Sequence, residues 1–325
     1  MLRLLYVMDP LARVLPDKDT TFAFMLEGGQ RGHEQFQCGI EDLFVARAVP
    51  YARSRRAGVQ RAAVHYTLAE ERQSPLTWFD VVFMRKDPPF DLAYYFATQI
   101  LGLVDARRTL VVNDPRGLCE ANEKLYALNF PDFIPESLVT ADTTQLKAFM
   151  EELGGEMIVK PLDGCGGAGV FHVHRGDRNL NAILELSTLN GMRLVMAQRY
   201  LPAVREEGDR RVILLDGEPL GAIRRIPRED EHRGNIHVGG RVERSPISAR
   251  ERDICRALAP RLRADGLWFV GLDVIGGLVT EVNVTSPTGI QEIDRLEGTN
   301  LAARVLDFVE QRAARLDRGA TTGSG

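Results

Sequence analysis

Cysteine is scarce in this chain. Four residues in 325 (Cys38, Cys119, Cys165 and Cys255) lie far apart, without the spacing of a metal site. That excludes a disulfide-stapled framework and suits reduced thiols in a reducing compartment. Excess charge of one sign is missing too: a balance of −4 leaves no electrostatic footprint for nucleic acid. No apolar run approaches the roughly 20 residues of a membrane-spanning helix. The run Met1-Leu2-Arg3-Leu4-Leu5-Tyr6-Val7-Met8 meets Asp9-Pro10 and is too short for a secretory signal. A cytoplasmic protein is expected, with neither nucleic acid nor membrane as partner. What is present is apolar material, 44% of residues, enough for two or three packed units.

The first third reads as strands alternating with helices. Residues 2–8 form a nearly continuous apolar run, as in a strand buried on both faces. Asp19-Thr20 caps a helix carrying Phe22, Met25 and Leu26. Residues 80–84 and 109–113 are further strands. Asp91 starts a helix with Leu92, Tyr95, Phe96, Ile100 and Leu103 on one stripe, and Tyr94-Tyr95-Phe96 is expected in the core. This alternation predicts a parallel sheet with a ligand edge at the strand carboxyl ends. Residues 39–75 carry no readable period. Residues 115–129 read as one helix, and Thr143 caps another. Short strands broken by Gly or Pro then follow at 157–160, 170–173, 194–198, 212–215, 220–225, 268–275 and 278–284, a composition typical of antiparallel sheets. A last helix covers about 301–315, and the end is expected to be a disordered tail.

The organising stretch is Lys160-Pro161-Leu162-Asp163-Gly164-Cys165-Gly166-Gly167-Ala168-Gly169, between two apolar strands. Glycines leave backbone N–H groups uncovered, which suits a phosphate cradle, although an ordinary hairpin has the same pattern. Lys160 in an apolar strand needs an anion. Lys124 reads equally well as an exposed helix residue. Val195-Met196-Ala197-Gln198-Arg199-Tyr200-Leu201 is a strand leaving at a hinge, where backbone groups can meet a flat base. In Asp209-Arg210-Arg211, Arg211 is a candidate clamp for phosphate or carboxylate.

Asp273, Glu281 and Asn283 sit in two apolar strands around Gly276-Gly277-Leu278. Glu281 and Asn283 share a strand face. A three-residue loop puts Asp273 opposite Glu281 on that face; a two-residue loop puts it on the other. Three oxygen ligands on one face suit magnesium. His172-Val173-His174 lacks a third ligand, and Cys165 lacks an adjacent His; both are expected to play structural parts.

Taken together, Met84-Arg85-Lys86-Asp87-Pro88-Pro89-Phe90-Asp91, Asn122-Glu123-Lys124-Leu125, the glycine stretch, Val270-Gly271-Leu272-Asp273 and Glu281-Val282-Asn283-Val284-Thr285-Ser286-Pro287-Thr288 resemble bacterial glutathione synthetases of the ATP-grasp superfamily. The match is poor at about 41–74, and Gly289 stands where some members carry cysteine. The resemblance implies an α/β plus α+β architecture. An N-terminal Rossmann-like pre-ATP-grasp domain (1–121) precedes an ATP-grasp domain (122–316) whose lobes, 122–200 and 201–316, grip ATP; 317–325 is the tail. It implies ligation of γ-glutamylcysteine and glycine with ATP hydrolysed to ADP and phosphate, through an acyl phosphate. Lys124 and Lys160 would hold phosphates under Gly164, Gly166 and Gly167. Gln198, Tyr200, Leu201 and Asp209 would complete the nucleotide site. Asp273, Glu281 and Asn283 would bind Mg2+, with Mn2+ as the alternative. Arg211 and Lys160 would stabilise developing charge. Arg85, Ser286 and Thr288 would meet the peptide, and Arg233, Asn235 and Arg241 would belong to a mobile lid. A homo-oligomer, tetramer or dimer, is expected by the same resemblance. A ligase of the same fold for other substrates, and a silent nucleotide-binding protein, are the alternatives.

Overall fold

The computed structural model describes residues 1–226 and 241–316. Its first sheet contains β1 (Arg3–Val7), β2 (Glu34–Cys38), β3 (Leu43–Ala46), β4 (Val49–Val59), β5 (Tyr66–Pro75), β6 (Val81–Met84) and β7 (Leu110–Val112). The second holds β8 (Ser137–Thr140), β9 (Glu156–Pro161), β10 (Phe171–His174) and β11 (Val195–Gln198). The third holds β12 (Asp209–Leu215), β13 (Glu218–Ile226), β14 (Arg241–Arg244), β15 (Phe269–Ile275) and β16 (Leu278–Asn283). Nine α-helices lie among the described residues: α1 (Thr20–Gln30), α2 (Leu92–Leu101), α3 (Pro115–Glu120), α4 (Thr143–Glu152), α5 (Leu180–Ser187), α6 (Ala203–Glu206), α7 (Ala249–Ala264), α8 (Ile290–Glu297) and α9 (Leu301–Ala313).

Only part of the first sheet is parallel. β2-β1-β6-β7 run parallel, and the long hairpin β4–β5 with β3 extends them antiparallel at β2. That antiparallel extension is the segment without a readable period, because most of β5 is exposed on both faces. β1 shows the opposite limit. Leu5 and Val7 face one core while Leu4 and Tyr6 face the other, so the whole strand is apolar. These two cores continue into β12, where Val212 and Leu214 join the first and Ile213 and Leu215 the second. The second sheet has a core of its own, in which Leu146 and Met150 of α4 pack on Met157, Val159 and Val195.

Several expectations need correction. Residues 115–129 are not one helix: α3 stops at Glu120, and a 3-10 turn follows over Leu125–Asn129. The Asn122 side chain accepts the N–H groups of Lys124 and Leu125, and the Glu123 carbonyl accepts that of Val282, so the backbone between is diverted out of helical pairing. The cap of α4 is Asp142, which accepts from Thr144 N and Gln145 N, rather than Thr143. In α2 the apolar stripe faces outward: Leu92 and Phe96 are 72% and 59% exposed, while Tyr94, Ala97 and Leu101 carry the packing. Of Tyr94-Tyr95-Phe96, then, only Tyr94 is core. The tail 317–325 lies outside the described residues.

Candidate active site

The second and third sheets face each other across a cleft that Lys124, Lys160, the glycine turn, Gln198, Tyr200, Leu201, Asp209, Asp273 and Glu281 all line. Three bonds pin its floor. Lys160 Nζ donates to Thr280 O (2.8 Å), Lys124 Nζ donates to Gly164 O (2.7 Å), and Lys124 Nζ also donates to Glu281 Oε1 (2.8 Å). Gly166 and Gly167 adopt φ of 61° and 81°, a backbone that side chains rarely permit, and this carries the turn over the cleft. At the far wall Tyr200 stacks on His172 with ring centroids 3.9 Å apart, and His172 Nε2 lies 2.9 Å from Glu156 Oε2. The ring of His172 is thus held between Tyr200 and Glu156. Burial raises the pKa of the Cys165 thiol, which disfavours the nucleophilic thiolate.

The face carrying Asp273, Glu281 and Asn283 assembles by a route the sequence left open. The hairpin loop has two residues, Gly276-Gly277, with φ of 54° and 74°. Such a loop alone would turn Asp273 away from Glu281. A bulge opposite the Asp273–Val274 step inserts Thr280 and restores the pairing Asp273↔Glu281, with Asn283 two residues on.

Charge in the cleft is arranged as a network. Asp273 Oδ1 and Oδ2 accept from Arg211 Nε (2.5 Å) and Nη2 (3.0 Å), and Arg225 Nη2 lies 2.9 Å from Oδ1. Burial pushes the Asp273 carboxyl up, but these two guanidiniums outweigh it and hold it well below the usual range. Asp209, paired with Arg225, is pushed up by burial to about 6. Burial pushes the Lys160 ammonium down to about 8, against the pull of Glu281. Arg210 points elsewhere, to Glu251 of α7.

A second cavity adjoins the cleft and shares Cys165, Gly166 and Glu281 with it. Arg85, Asn283, Ser286, Thr288 and Arg211 line it. Arg85 is buried, donating from Nε to Thr21 Oγ1 (3.1 Å) and from Nη2 to Pro287 O (3.0 Å). The cleft thus opens at its glycine turn into a second cavity, an arrangement that can bring two bound molecules together.

Comparison with known proteins agrees. The model of the prokaryotic glutathione synthetase N-terminal domain matches residues 2–119, and that of the prokaryotic glutathione synthetase ATP-grasp domain matches 123–298. The chain belongs to the prokaryotic glutathione synthetase family. The glutathione synthetase of Synechococcus elongatus is 46% identical, covering 95% of this chain and 98% of the relative. That of Salmonella typhimurium is 44% identical, covering 97% and 100%. Among solved structures, D-cycloserine synthetase has a TM-score of 0.66 at 17% identity, covering 97% of this chain and 100% of that one. A RimK-domain ATP-grasp protein from Sphaerobacter thermophilus has a TM-score of 0.61 at 17% identity, covering 95% and 99%. At that identity the two structures speak for the fold, which is ATP-grasp, and the family makes the protein an ATP-dependent ligase.

Two of the residues expected in the synthetase lid, Arg233 and Asn235, lie outside the described residues. Arg241 begins β14, is exposed, pairs with Glu243, and lines neither the cleft nor the second cavity. Arg225 is a group that the sequence reading missed. It lies in β13 directly opposite Asp209, the second of the two arginines Arg224-Arg225 that follow the apolar run of that strand. Helix α7 was missed as well, although Ser248 and Glu251 form a legible capping box.

Proposed function

We propose that this synthetase joins γ-glutamylcysteine to glycine in two steps on one face of the cleft. The cysteinyl carboxylate attacks the γ-phosphorus of ATP, releasing ADP and leaving an acyl phosphate. The glycine amine then attacks the acyl carbon, and phosphate leaves. The observation that carries the reading is the junction of the two cavities at Gly166 and Glu281, where an acyl oxygen from one side can meet a phosphoryl group from the other. In this reading Lys124 and Lys160 bind phosphate oxygens, the glycine turn covers them, and Gln198, Tyr200 and Leu201 bound the base. Asp209 offers its Oδ1, which is buried without a partner among the described residues, to the nucleotide. Arg211 stabilises charge on the transferring group.

The residues present fit magnesium with one condition. Among the described residues no three acidic, histidine or cysteine side chains converge, so Asn283 and phosphate oxygens must complete the set. Glu281 and Asn283 would hold the ion, and Asp273 joins them only by releasing its arginines, which nucleotide phosphates can draw away. Bound there, the metal would neutralise phosphate charge.

The chain divides, on this proposal, near 121 into a peptide-binding part and a nucleotide-gripping part. It works in the cytoplasm; among the described residues no helix is long and apolar enough to cross a membrane. A homo-oligomer is supported by the outward stripe Leu92, Tyr95, Phe96 and Leu103 of α2 and its C-terminal turn. The test is phosphate release with ATP and magnesium, adding γ-glutamylcysteine and glycine singly and then together, with the product mass read. Release that needs both substrates, with a tripeptide mass, is expected. Binding of ATP without release when both are present would overturn the proposal.

A further inference from the structure

The end of the cleft bounded by Gln198, Tyr200 and Leu201 is built on a row of side chains that crosses the whole second sheet. Ser137, Gln198, Ile158 and His172 stand in register from β8 through β11 and β9 to β10. Residues directly opposite share a face, and Ile158 and Gln198 line the cleft, so the row lies on the cleft side. Both ends of the row are pinned. Ser137 Oγ donates to Pro135 O (2.7 Å) and accepts from Gln198 Nε2 (3.0 Å). At the other end His172 Nε2 lies 2.9 Å from a carboxylate oxygen of Glu156, which shares the cleft face of β9 with Ile158.

Tyr200 ties these ends together. It follows β11, with β9 between it and β10, yet its ring stacks on His172 with 16° between the planes. The Tyr200 side chain therefore reaches back over β9 on the cleft side. Its hydroxyl is buried with no hydrogen-bond partner among the described residues, so no bond at the tip fixes the ring. Ring contacts do: the imidazole, and Arg205 of α6, whose Cζ lies 5.8 Å from the ring centroid. His172 itself does not line the cleft, and acts on it through Tyr200. The opposite end of the cleft has separate supports, since Lys124 and Lys160 are held by Gly164, Glu281 and Thr280.

We propose that His172 is a positioning residue for the nucleotide base: clamped by Glu156, its ring fixes Tyr200 and so sets the Tyr200-Leu201 backbone against which the adenine seats. The inference rests on the reading above that Gln198, Tyr200 and Leu201 bound the base. Two stacked rings are worth a factor of roughly 2 to 10 in an equilibrium constant beyond the area they bury. Loss of the stack should therefore weaken the hold on the base and leave the grip on the phosphates and the chemical step in place.

The experiment compares ATP with inorganic tripolyphosphate, which carries the phosphates without the base, in the wild type, His172→Ala and His172→Phe. Phenylalanine keeps a ring on Tyr200 and gives up only the bond to Glu156, whose side chain is half-exposed. The wild type is expected to bind ATP more tightly than tripolyphosphate in calorimetry. In His172→Ala, KM for ATP should rise roughly 3- to 10-fold, while kcat and the Kd of tripolyphosphate change by less than about twofold. His172→Phe should bring KM for ATP back to within about twofold of the wild type. An alanine variant with a normal KM for ATP overturns the proposal. So does one that loses ATP and tripolyphosphate alike, the mark of a loosened lobe, and so does a folded phenylalanine variant no better than alanine. If His172→Ala fails to fold, the wild type decides: its His172 imidazole resonance, identified by its loss in His172→Phe, should shift with ATP and not with tripolyphosphate. No ATP-specific shift overturns the proposal. A wild type that holds ATP no more tightly than tripolyphosphate overturns the base-site reading itself, and the role of His172 falls with it.

Discussion

Lys160 offers a direct test of how the cleft is prepared for nucleotide. Its ammonium sits among apolar strand neighbours, and burial pushes its pKa from 10.5 to about 8. The sign follows. A lysine with a depressed folded pKa opposes folding while it must be charged, and that penalty fades as pH rises through about 8. On the proposed role, phosphate oxygens beside it would reverse the shift, since an opposite charge favours the ammonium. ATP binding near pH 8 should therefore take up roughly half a proton at this site, the fraction then missing from the free protein. Affinity should fall roughly tenfold between pH 7 and pH 9, as the protonated fraction of free protein falls from about nine-tenths to about one-tenth. Calorimetry in buffers of different ionisation enthalpy measures the uptake directly. Lys160→Met removes this component while leaving the titration of ATP itself in place, so the difference between the two proteins is the quantity to read. Equal proton uptake by wild type and variant across that range would refute the reasoning, and would mean that Lys160 stays charged through another partner.

If Arg211 acts as proposed, Arg211→Ala should lower turnover by roughly 10²-fold or more, with a smaller change in ATP affinity, because it would remove a preorganised donor to the transferring group. It should also lower Tm, since the buried Asp273 loses its bidentate partner and keeps only Arg225; a normal rate would take Arg211 out of the mechanism. Glu281→Gln should shift the magnesium titration of activity to higher concentration, and an unchanged titration would place the ion elsewhere. Phe96→Glu puts a charge into the outward stripe of α2. It should reduce the assembled mass in light scattering while sparing the fold, and an unaltered mass would move the interface to another surface.

Sequence and structure divide the molecule along a physical line. Features set by neighbours in the chain were legible: the apolar strand around Lys160, the glycines that follow it, the alternation that puts Glu281 and Asn283 on one face, and the caps at Asp19 and Asp91. Each follows from local sterics or a period of two. Decisions that depend on what lies across the fold were not. The hairpin carrying Asp273 has the short loop that argues for the wrong face, and only the bulge at Thr280, set by pairing along the whole strand, corrects it. The stripe on α2 has helical spacing yet faces outward, because Tyr94 and Ala97 fill the limited room against the sheet. Arg225 looks in the sequence like an ordinary charge at the end of an apolar run. What marks it is burial, and burial is a property of the tertiary structure, since a charge becomes costly only where the rest of the chain has removed its water.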